Sequence, residues 1–415
     1  MSPANPWEVL GEEIQRATLD HCVKCTICET ACPVAAVTPL FPGPKFVGPQ
    51  GERFRDAESV DHSLDYCSSC GACTLACPQG VHIAELNTIN RATMKRQHGT
   101  PLRDQLISRT TIMGAAMTPV APVANAVLGF KPARWLMEHV VGVDRNAPMP
   151  TARSQTVSGW LKKRTRTALP PTRGPIVFFH GCAGGYFEVE TSKQTIEVLE
   201  HLGYEVLVPT QGCCGLAQQS NGLFEAATRS VTTLVEQLSS AGNQLTIVGS
   251  SGSCVGMLKH EAHEILGVDD AALAGVSSRI RETSEFLMEL VEAGHFPLDE
   301  LTRIDETIPY HQPCQVKSQA MGMPAMDLMN LIPGVTVQES GVACCGIAGT
   351  YGLKKEKFEI AQAVGKPLFD MVTATNDHIA TCDTETCRWQ IEKATGVETV
   401  HPITLIHRSL GLAQG

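Results

Sequence analysis

The feature that most constrains this chain is a cysteine pattern, C-x2-C-x2-C-x3-C-P, that occurs twice near the amino end. Three thiolates on a tight loop can bind three corners of a cubane [4Fe-4S] cluster, whereas the fourth, on the following turn, reaches the cluster of the other run. The pattern therefore predicts two clusters with crossed ligands. The predicted ligands are Cys22, Cys25, Cys28 and Cys77 for cluster 1, and Cys67, Cys70, Cys73 and Cys32 for cluster 2.

Two other uses of this pattern are disfavoured. Zinc needs only four thiolates in two C-x2-C pairs, which leaves the third evenly spaced cysteine and the Cys-Pro ending unexplained. Structural disulfides are typical of small secreted domains in an oxidising compartment. This chain instead has 415 residues, an odd number of cysteines (17) and no apolar leader after Met1. We therefore expect free thiols in a reducing cytoplasm.

Composition limits the remaining classes of function. A hydrophobic fraction of 43% with 18% charged residues is ordinary for a globular protein of two or three domains. The net charge of −10 argues against nucleic acid as a partner. The sequence has no run of the roughly 18 or more apolar residues that a membrane span requires. Contact with a membrane should therefore be peripheral at most.

We expect four segments along the chain. The first is a helical module for two [4Fe-4S] clusters, because Ile83, Leu86 and Ile89 follow the second run with helical spacing. A linker with apolar helices and a basic run comes next, and two α/β repeats complete the chain. The boundaries are 1–100 for the module, 101–173 for the linker, and 174–300 and 301–415 for the repeats.

The linker has two properties that suggest a membrane surface. Its apolar part, 112–143, is interrupted by Pro119, Pro122 and Pro132, and we infer that it cannot cross a bilayer but can lie in the interface. It also contains a basic run. This run includes Lys162, Lys163, Arg164 and Arg166. The simpler alternative is that the helices pack on the neighbouring domain and the basic run is a solvated linker.

The rest of the chain is an internal duplication. The cysteines Cys182, Cys213, Cys214 and Cys254 recur as Cys314, Cys344, Cys345 and Cys387. In the first copy, the predicted strands are Ile176–Phe179, Glu205–Val208 and Leu245–Val248, and the predicted helices are Glu188–Leu202 and Leu216–Leu238. Alternating strands and helices imply a mainly parallel sheet with covered faces. The predicted fold class is α + α/β, a helical two-cluster ferredoxin module followed by two duplicated α/β Cys-Cys-Gly units.

These later cysteines fall at or after strand ends, where open α/β sheets place their ligands. Gly215 and Gly346 free the backbone to turn two adjacent thiols toward one centre. The candidate metal ligands are Cys182, Cys213, Cys214, Cys254, Cys314, Cys344, Cys345 and Cys387, with Cys382 as an auxiliary. An iron-sulfur cluster and zinc are both open in each repeat, as are metal-free thiols in the first. We expect His180 and His311, which precede the first cysteine of each repeat, to be satisfied by backbone. The alternative is that they donate a hydrogen bond to a sulfur or contact a quinone.

Two such runs followed by two Cys-Cys-Gly repeats resemble the iron-sulfur subunits of membrane-linked dehydrogenases, which include those of glycolate oxidase, lactate utilisation and heterodisulfide reductase. Within this group, CVKCTICETACPVAAVTP, FPGPKFVGPQGERFR, CCGIAGTYGLKKE, ETCRWQIE and HPITL are similar to the C subunits of anaerobic sn-glycerol-3-phosphate dehydrogenases, from about Cys22 to Leu405. The chain departs from the group's final C-x2-C pair, because Ser251 and Thr384 stand at its first place. This argues against a five-thiolate cluster in the first repeat and leaves one open in the second.

The resemblance implies an electron-transfer subunit that is not itself an enzyme. Electrons would come from the flavin of the catalytic A and B subunits, which oxidise sn-glycerol 3-phosphate to dihydroxyacetone phosphate, and would leave to menaquinone. The expected location is peripheral, on the cytoplasmic face of the inner membrane. Gly346, Gly349 and Gly352 lack the lysine of a phosphate loop, which agrees with a chain that oxidises no organic substrate. The alternatives are a glycolate or lactate oxidising complex, or a reductase acting at the second Cys-Cys-Gly site.

Overall fold

The structure, a computed structural model, describes residues 21–54, 62–164, 171–376 and 378–412. The amino-terminal module is helical, and its described part contains no strand. Short helices and turns pack around one long helix, α5, which follows the second cysteine run. The elements are α1 (Ile27–Thr30), α2 (Pro44–Val47), α3 (Pro49–Phe54), a 3-10 turn (His62–Tyr66), α4 (Ala72–Leu75) and α5 (Ile83–His98).

Five helices connect the module to the repeats. They are α6 (Leu102–Ile107), α7 (Thr110–Met117), α8 (Ala121–Gly129), α9 (Lys131–Val140) and α10 (Val157–Lys163), with a 3-10 turn (Thr118–Val120) between α7 and α8. Thr110–Gly129 is one helical run of 20 residues with a mean hydropathy of 1.4. The α-helix is interrupted near the prolines, because Pro119 lies in the 3-10 turn and Pro122 lies in the first turn of α8, where no backbone N–H is needed. By length and composition alone, the whole run is nevertheless long and apolar enough to cross a membrane.

The first repeat is a four-stranded parallel sheet with the strand order β2-β1-β3-β4. Its strands are β1 (Pro175–Phe179), β2 (Glu205–Leu207), β3 (Ile247–Gly249) and β4 (Ile280–Glu282). Its helices are α11 (Gly181–Tyr186), α12 (Val189–His201), α13 (Leu216–Ser220), α14 (Phe224–Ser239), α15 (Gly252–Gly256), a π-helix (Met257–Glu261), α16 (Ala262–Glu264), α17 (Ala271–Arg279), α18 (Thr283–Glu292) and a 3-10 turn (Leu298–Glu300).

The second repeat has the same parallel arrangement, with the strand order β6-β5-β7-β8. Its strands are β5 (Glu306–His311), β6 (Val335–Glu339), β7 (Ile379–Cys382) and β8 (Glu398–Val400). Its helices are α19 (Cys314–Lys317), α20 (Pro324–Asn330), a 3-10 turn (Tyr351–Leu353), α21 (Phe358–Thr375), α22 (Glu385–Thr395) and α23 (Pro402–Ser409). The chain therefore combines helices with parallel sheets in the order that the sequence predicts.

Two details of the repeats differ from the sequence prediction. Each described sheet has a fourth strand, β4 or β8, which the sequence analysis did not predict. The helix predicted over Leu216–Leu238 is two helices, α13 and α14. The chain turns between them at Gly222, whose φ of +77° is left-handed.

The two sheets share one apolar core. Phe178 of β1 and Tyr310 of β5 are both fully buried in it. Polar contacts also join the repeats, because Glu188 of the first accepts hydrogen bonds from Arg388 (2.9 Å) and Trp389 (2.6 Å) of the second. The two repeats therefore pack against each other.

A buried ion pair ties the linker to both repeats. Lys354 donates to Asp104 at 2.9 Å and to Asn221 at 2.7 Å. Burial alone would raise the pKa of Asp104, but Lys354 and Arg103 lower it overall. The stabilisation from this carboxylate is therefore present above the pKa of an unfolded aspartate, about 3.9, and is lost as the pH falls through the lowered folded value.

We predict that Asp104→Ala lowers the free energy of unfolding by about 3–5 kcal/mol, because it leaves the charge of Lys354 buried without its carboxylate. Asp370→Ala is the control, since Asp370 pairs with Lys366 on the surface and should cost about 0–1 kcal/mol. Denaturant unfolding under anaerobic conditions measures both. Equal losses in the two variants would contradict the prediction.

Candidate functional site

Each ferredoxin-type run turns sharply between its second and third cysteines. Thr26 precedes α1 with a φ of 71°, and Gly71 precedes α4 with a φ of 75°. Lys24 and Ser69 also have positive φ values, 60° and 53°. Left-handed backbone at a residue other than glycine costs on the order of 1–3 kcal/mol. A metal centre bound by the flanking thiols would offset this cost.

The four cysteines predicted for cluster 1 lie together. Burial raises the pKa of Cys28 to about 11, and Glu29, Cys22, Cys77 and Cys25 add to the rise in that order. Three of these thiols come from the first run and one from the second. The structure thus brings the fourth cysteine of the second run to the first three of the first run.

The four cysteines predicted for cluster 2 are also neighbours. Burial raises the pKa of Cys73, and the thiols of Cys67, Cys70 and Cys32 raise it further. Burial is also the main cause of the raised pKa of Cys32, about 11, and of Cys70, about 12. Cys344 of the second repeat contributes to both of these shifts.

These buried thiols fit a metal-sulfur centre. All seventeen cysteines are free, so no disulfide competes for them. A thiol that is neutral because it is buried becomes a thiolate ligand when a metal cation is bound. Backbone N–H groups already point at three of the sulfurs at 3.4 Å, and such bonds help to set cluster potentials. The pairs are Ala35 to Cys32, Ser69 to Cys67, and Val81 to Cys77.

In the first repeat, the four predicted thiols come from three consecutive βα connections of the sheet. The Sγ atoms of Cys182 and Cys213 are 3.9 Å apart, and those of Cys214 and Cys254 are 3.2 Å apart. Hydrogen bonds from Cys182 and Cys214 lower the pKa of Cys213 well below its usual value. Of the adjacent pair, the first thiol is therefore the one whose deprotonation these hydrogen bonds favour.

The second repeat has the same arrangement with one more thiol. The Sγ atoms of Cys345 and Cys387 are 3.0 Å apart. Hydrogen bonds from Cys314 and Cys345 lower the pKa of Cys344 well below its usual value. Cys382 is fully buried and hydrogen-bonds to Cys387. Five thiols are thus gathered here, against four in the first repeat.

Glycine is required after each cysteine pair for two reasons. Gly215 and Gly346 have left-handed φ values of +86° and +90°. A Cβ atom would also lie 2.8 Å from the carbonyl oxygen of Ala227 in the first case and 2.0 Å from that of Ala361 in the second. The glycine therefore lets the cysteine pair turn while the following helix packs against it.

The two histidines differ in their surroundings. His180 contacts the carbonyl oxygen of Gly181 at 2.6 Å through Nδ1, and burial lowers its pKa to about 4. His311 contacts Ser340 through Nδ1 at 3.0 Å. Potential ligand atoms of His311, Cys345 and Cys387 lie within 4.8 Å of one another. His311 therefore borders the thiols of its repeat, which is the situation that the alternative to a backbone-satisfied histidine describes.

The amino-terminal thiols meet the second repeat directly. Cys32, Cys67 and Cys344 belong to one buried cluster, and Cys70 and Cys314 pack against it. A hydrogen bond with Cys344 is the main cause of the raised pKa of Cys314, and burial and the thiol of Cys70 raise it further. The two groups of cysteines that the sequence separates by about 240 residues therefore form one continuous sulfur-lined region.

A cavity of about 430 Å³ lies between the two repeats. The eight main thiols of the repeats and Cys70 all line it. Sequence reasoning missed three other lining residues, Gln219, Gln315 and Glu261. These residues carry no motif, and Gln315 is distinguished only by its place directly after Cys314.

The outer surface of the linker helices is strongly apolar. Residues 110–130 include no charged side chain, and only 11% of the Thr110–Gly129 run is buried. Gly114 packs against Tyr186, so one side of α7 lies on the first repeat. The outer apolar face, defined by its exposed side chains, consists of Ile112, Val120, Val123, Val127, Phe130, Trp135, Leu136 and Val140.

The basic run contributes less free charge than the sequence suggests. Arg134 is buried and donates to backbone carbonyls, Arg145 pairs with Glu138, and Arg164 pairs with Glu200 at 2.5 Å. Exposed lysines remain at the end of α10, whereas Arg166 lies outside the described residues.

Comparisons with known proteins agree with this arrangement. The 4Fe-4S dicluster domain family matches residues 18–81, and the Cysteine-rich domain family matches residues 176–259 and 308–392. The C subunit of the anaerobic glycerol-3-phosphate dehydrogenase of Escherichia coli K12 is 35% identical over 400 residues, which cover 95% of this chain and 99% of that protein. The chain belongs to this C-subunit family. Lactate utilization protein A of Oceanobacillus iheyensis is 27% identical over 207 residues, 48% of this chain.

Membership of the C-subunit family confirms the resemblance and makes the chain a homologue of one component of an oxidoreductase complex. The domain matches support iron-sulfur clusters as cofactors. Lactate utilization protein A covers about half of the chain, so that alternative fits it only in part.

We predict that paired substitutions reveal the crossed ligand sets. If the sets are crossed, Cys25→Ser with Cys77→Ser should lose one cluster, about four irons per chain. Cys25→Ser with Cys32→Ser should lose two, about eight irons. Iron and sulfide analysis of anaerobically purified variants measures both. The reverse pattern would mean that each run binds its own cluster.

Proposed function

We propose that this chain is the electron-transfer iron-sulfur subunit of a membrane-associated anaerobic glycerol-3-phosphate dehydrogenase. The observation that carries the proposal is the junction of the amino-terminal thiols with those of the second repeat, in a chain that matches such a C subunit along almost all of its length. All-thiolate clusters, when bound, transfer single electrons.

The ligands in this proposal are crossed. Cys22, Cys25, Cys28 and Cys77 bind one [4Fe-4S] cluster, and Cys67, Cys70, Cys73 and Cys32 bind the other. The support is that each thiol of a set perturbs the pKa of a partner in the same set. The protein encloses these sulfurs with apolar side chains, and the backbone N–H groups that point at them help to set the potential.

A third centre in the second repeat would continue the path. Cys344 and Cys314 lie against Cys70 and Cys32, so a redox centre on the second-repeat thiols would receive electrons from cluster 2 over a short separation. The order along the chain is then cluster 1, cluster 2 and the second repeat. The first repeat has one thiol fewer, and the amino-terminal thiols are not among the main causes of its pKa shifts, so a closed site such as zinc suits it equally.

The family to which the chain belongs indicates the electron donor and the electron acceptor. The electron source is the flavin of the catalytic A and B subunits, and the acceptor is menaquinone. The outer apolar face of α7, α8 and α9 lies on the cytoplasmic surface of the inner membrane, because an exposed apolar helix with one side packed on its own protein is suited to the interface.

Reduction by substrate tests the relay. In the complex of this chain with the A and B subunits, sn-glycerol 3-phosphate should reduce the clusters, seen as paramagnetic resonance signals, and a quinone should reoxidise them. Glycolate and lactate are the matched control substrates. Reduction of the isolated chain by sn-glycerol 3-phosphate would make it an enzyme, and no reduction in the complex would reject the proposal.

Charges on the outer apolar face test the membrane contact. We predict that Val123→Glu with Val127→Glu lowers cosedimentation with lipid vesicles by about tenfold or more, since each buried charge opposes insertion. Leu102→Glu with Leu298→Glu is the control, because both leucines are exposed elsewhere. Equal binding of the two double variants would rule out this face.

A further inference from the structure

The cavity between the repeats has the size and the walls of an organic ligand site. Its volume of about 430 Å³ lies within the range of roughly 300–1,000 Å³ that is usual for such sites. One wall is apolar and comes from the linker, through Met113, Val143 and Met149. Another wall consists of the thiols of both repeats.

The remaining wall has amide groups that lack partners. Among the described residues, the side-chain oxygens of Gln219, Gln315 and Gln319 are buried and accept no hydrogen bond. All three residues line the cavity. An unsatisfied buried oxygen costs about 1–3 kcal/mol, so the site is incomplete without a ligand that donates. Hydroxyl groups of a bound ligand would fill this role.

A carboxyl group stands beside these amides. Gln219 and Gln315 both hydrogen-bond to Glu261, which borders the cavity. Burial raises the pKa of Glu261 to about 7, and Glu85 and Glu264 raise it further. Glu85 and Glu264 also line the cavity, and their oxygens lie within 4.8 Å of a ring nitrogen of the half-buried His82. Titratable side chains therefore extend from the cavity to the half-buried His82.

The cavity lies directly beneath the outer apolar face. Met113 faces the cavity from α7, whereas its neighbour Ile112 is 65% exposed on the outer side of the same helix. The cavity wall and the outer apolar face are therefore two sides of the same helix, which is the arrangement that a lipid-soluble ligand requires.

We propose that this cavity binds the ring of a lipophilic para-quinone, with the second-repeat thiol site as electron donor and Glu261 as proton donor. The inference rests on the proposed function, which supplies the electrons. The quinone takes up two electrons, released when glycerol 3-phosphate is oxidised, and two protons. One proton comes from Glu261 and one from solvent through Glu264, and the product quinol donates its hydroxyl groups to the glutamine oxygens.

Filling the cavity tests where the ring binds. In the complex with the A and B subunits, Met113→Trp should raise the KM for 2,3-dimethyl-1,4-naphthoquinone by about tenfold or more. Equilibrium dialysis of the oxidised complex should show a similar loss of binding. Met323→Trp is the control, because Met323 is exposed and does not line the cavity. Unchanged binding and KM in Met113→Trp would overturn the proposal.

Replacing the carboxyl group of Glu261 with an amide tests its role as proton donor in a variant that should still fold. Glu261→Gln keeps the shape of the side chain and should lower kcat for the same quinone by about tenfold or more, with KM little changed. Glu292→Gln, at an exposed position of α18, is the control. A kcat equal to that of the control would overturn the role of Glu261.

Reduction of the clusters by sn-glycerol 3-phosphate tests the proposed function separately from the quinone site. If both variants keep this reduction and lose quinone turnover as described, the quinone site is supported. If reduction and turnover both persist at wild-type levels, the cavity is not the site although the relay stands. If the wild-type clusters are not reduced at all, the proposed function fails and this inference fails with it.

Discussion

The structure depends on the convergence of buried sulfur atoms from distant parts of the chain. Cys32 and Cys67 of the amino-terminal module share an apolar cluster with Cys344 of the second repeat. Burial raises the pKa of Cys28 and Cys32 to about 11 and that of Cys70 to about 12. A bound metal centre reverses that effect, because cations favour thiolates and link loops that have few other contacts. Metal binding and folding of the module are thus expected to be coupled.

Because the α/β unit is duplicated, both repeats contribute cysteines to the sulfur-lined region. Parallel sheets place their connecting loops at one edge, and pairing two such sheets through a common core brings both edges to one cavity. The halves are not equivalent, because the amino-terminal thiols pack against those of the second repeat, which also has a fifth thiol, Cys382. This asymmetry would give the proposed electron path a direction, which a symmetric duplication could not provide.

The cysteine spacing and the strand-helix alternation predicted the order of modules, the parallel sheets and the edge where the repeat thiols gather. These features follow from local patterns. The fourth strands of the two sheets, β4 and β8, were not predicted. The contact of Cys70 with Cys344, and the placement of Gln219 and Glu261 around the cavity, depend on how the modules pack. This packing cannot be predicted from local sequence patterns.

The linker is thus part of the site rather than a spacer. Its α7 helix covers the cavity with Met113 and presents Ile112 outward, so a single helix joins an exposed apolar surface to the sulfur-lined interior. The central claim is that thiols bind redox-active iron. Iron, acid-labile sulfide and paramagnetic resonance of the anaerobically purified chain test it most directly. The account predicts about eight or more irons per chain and signals after reduction. A colourless, magnetically silent protein containing only zinc would contradict it.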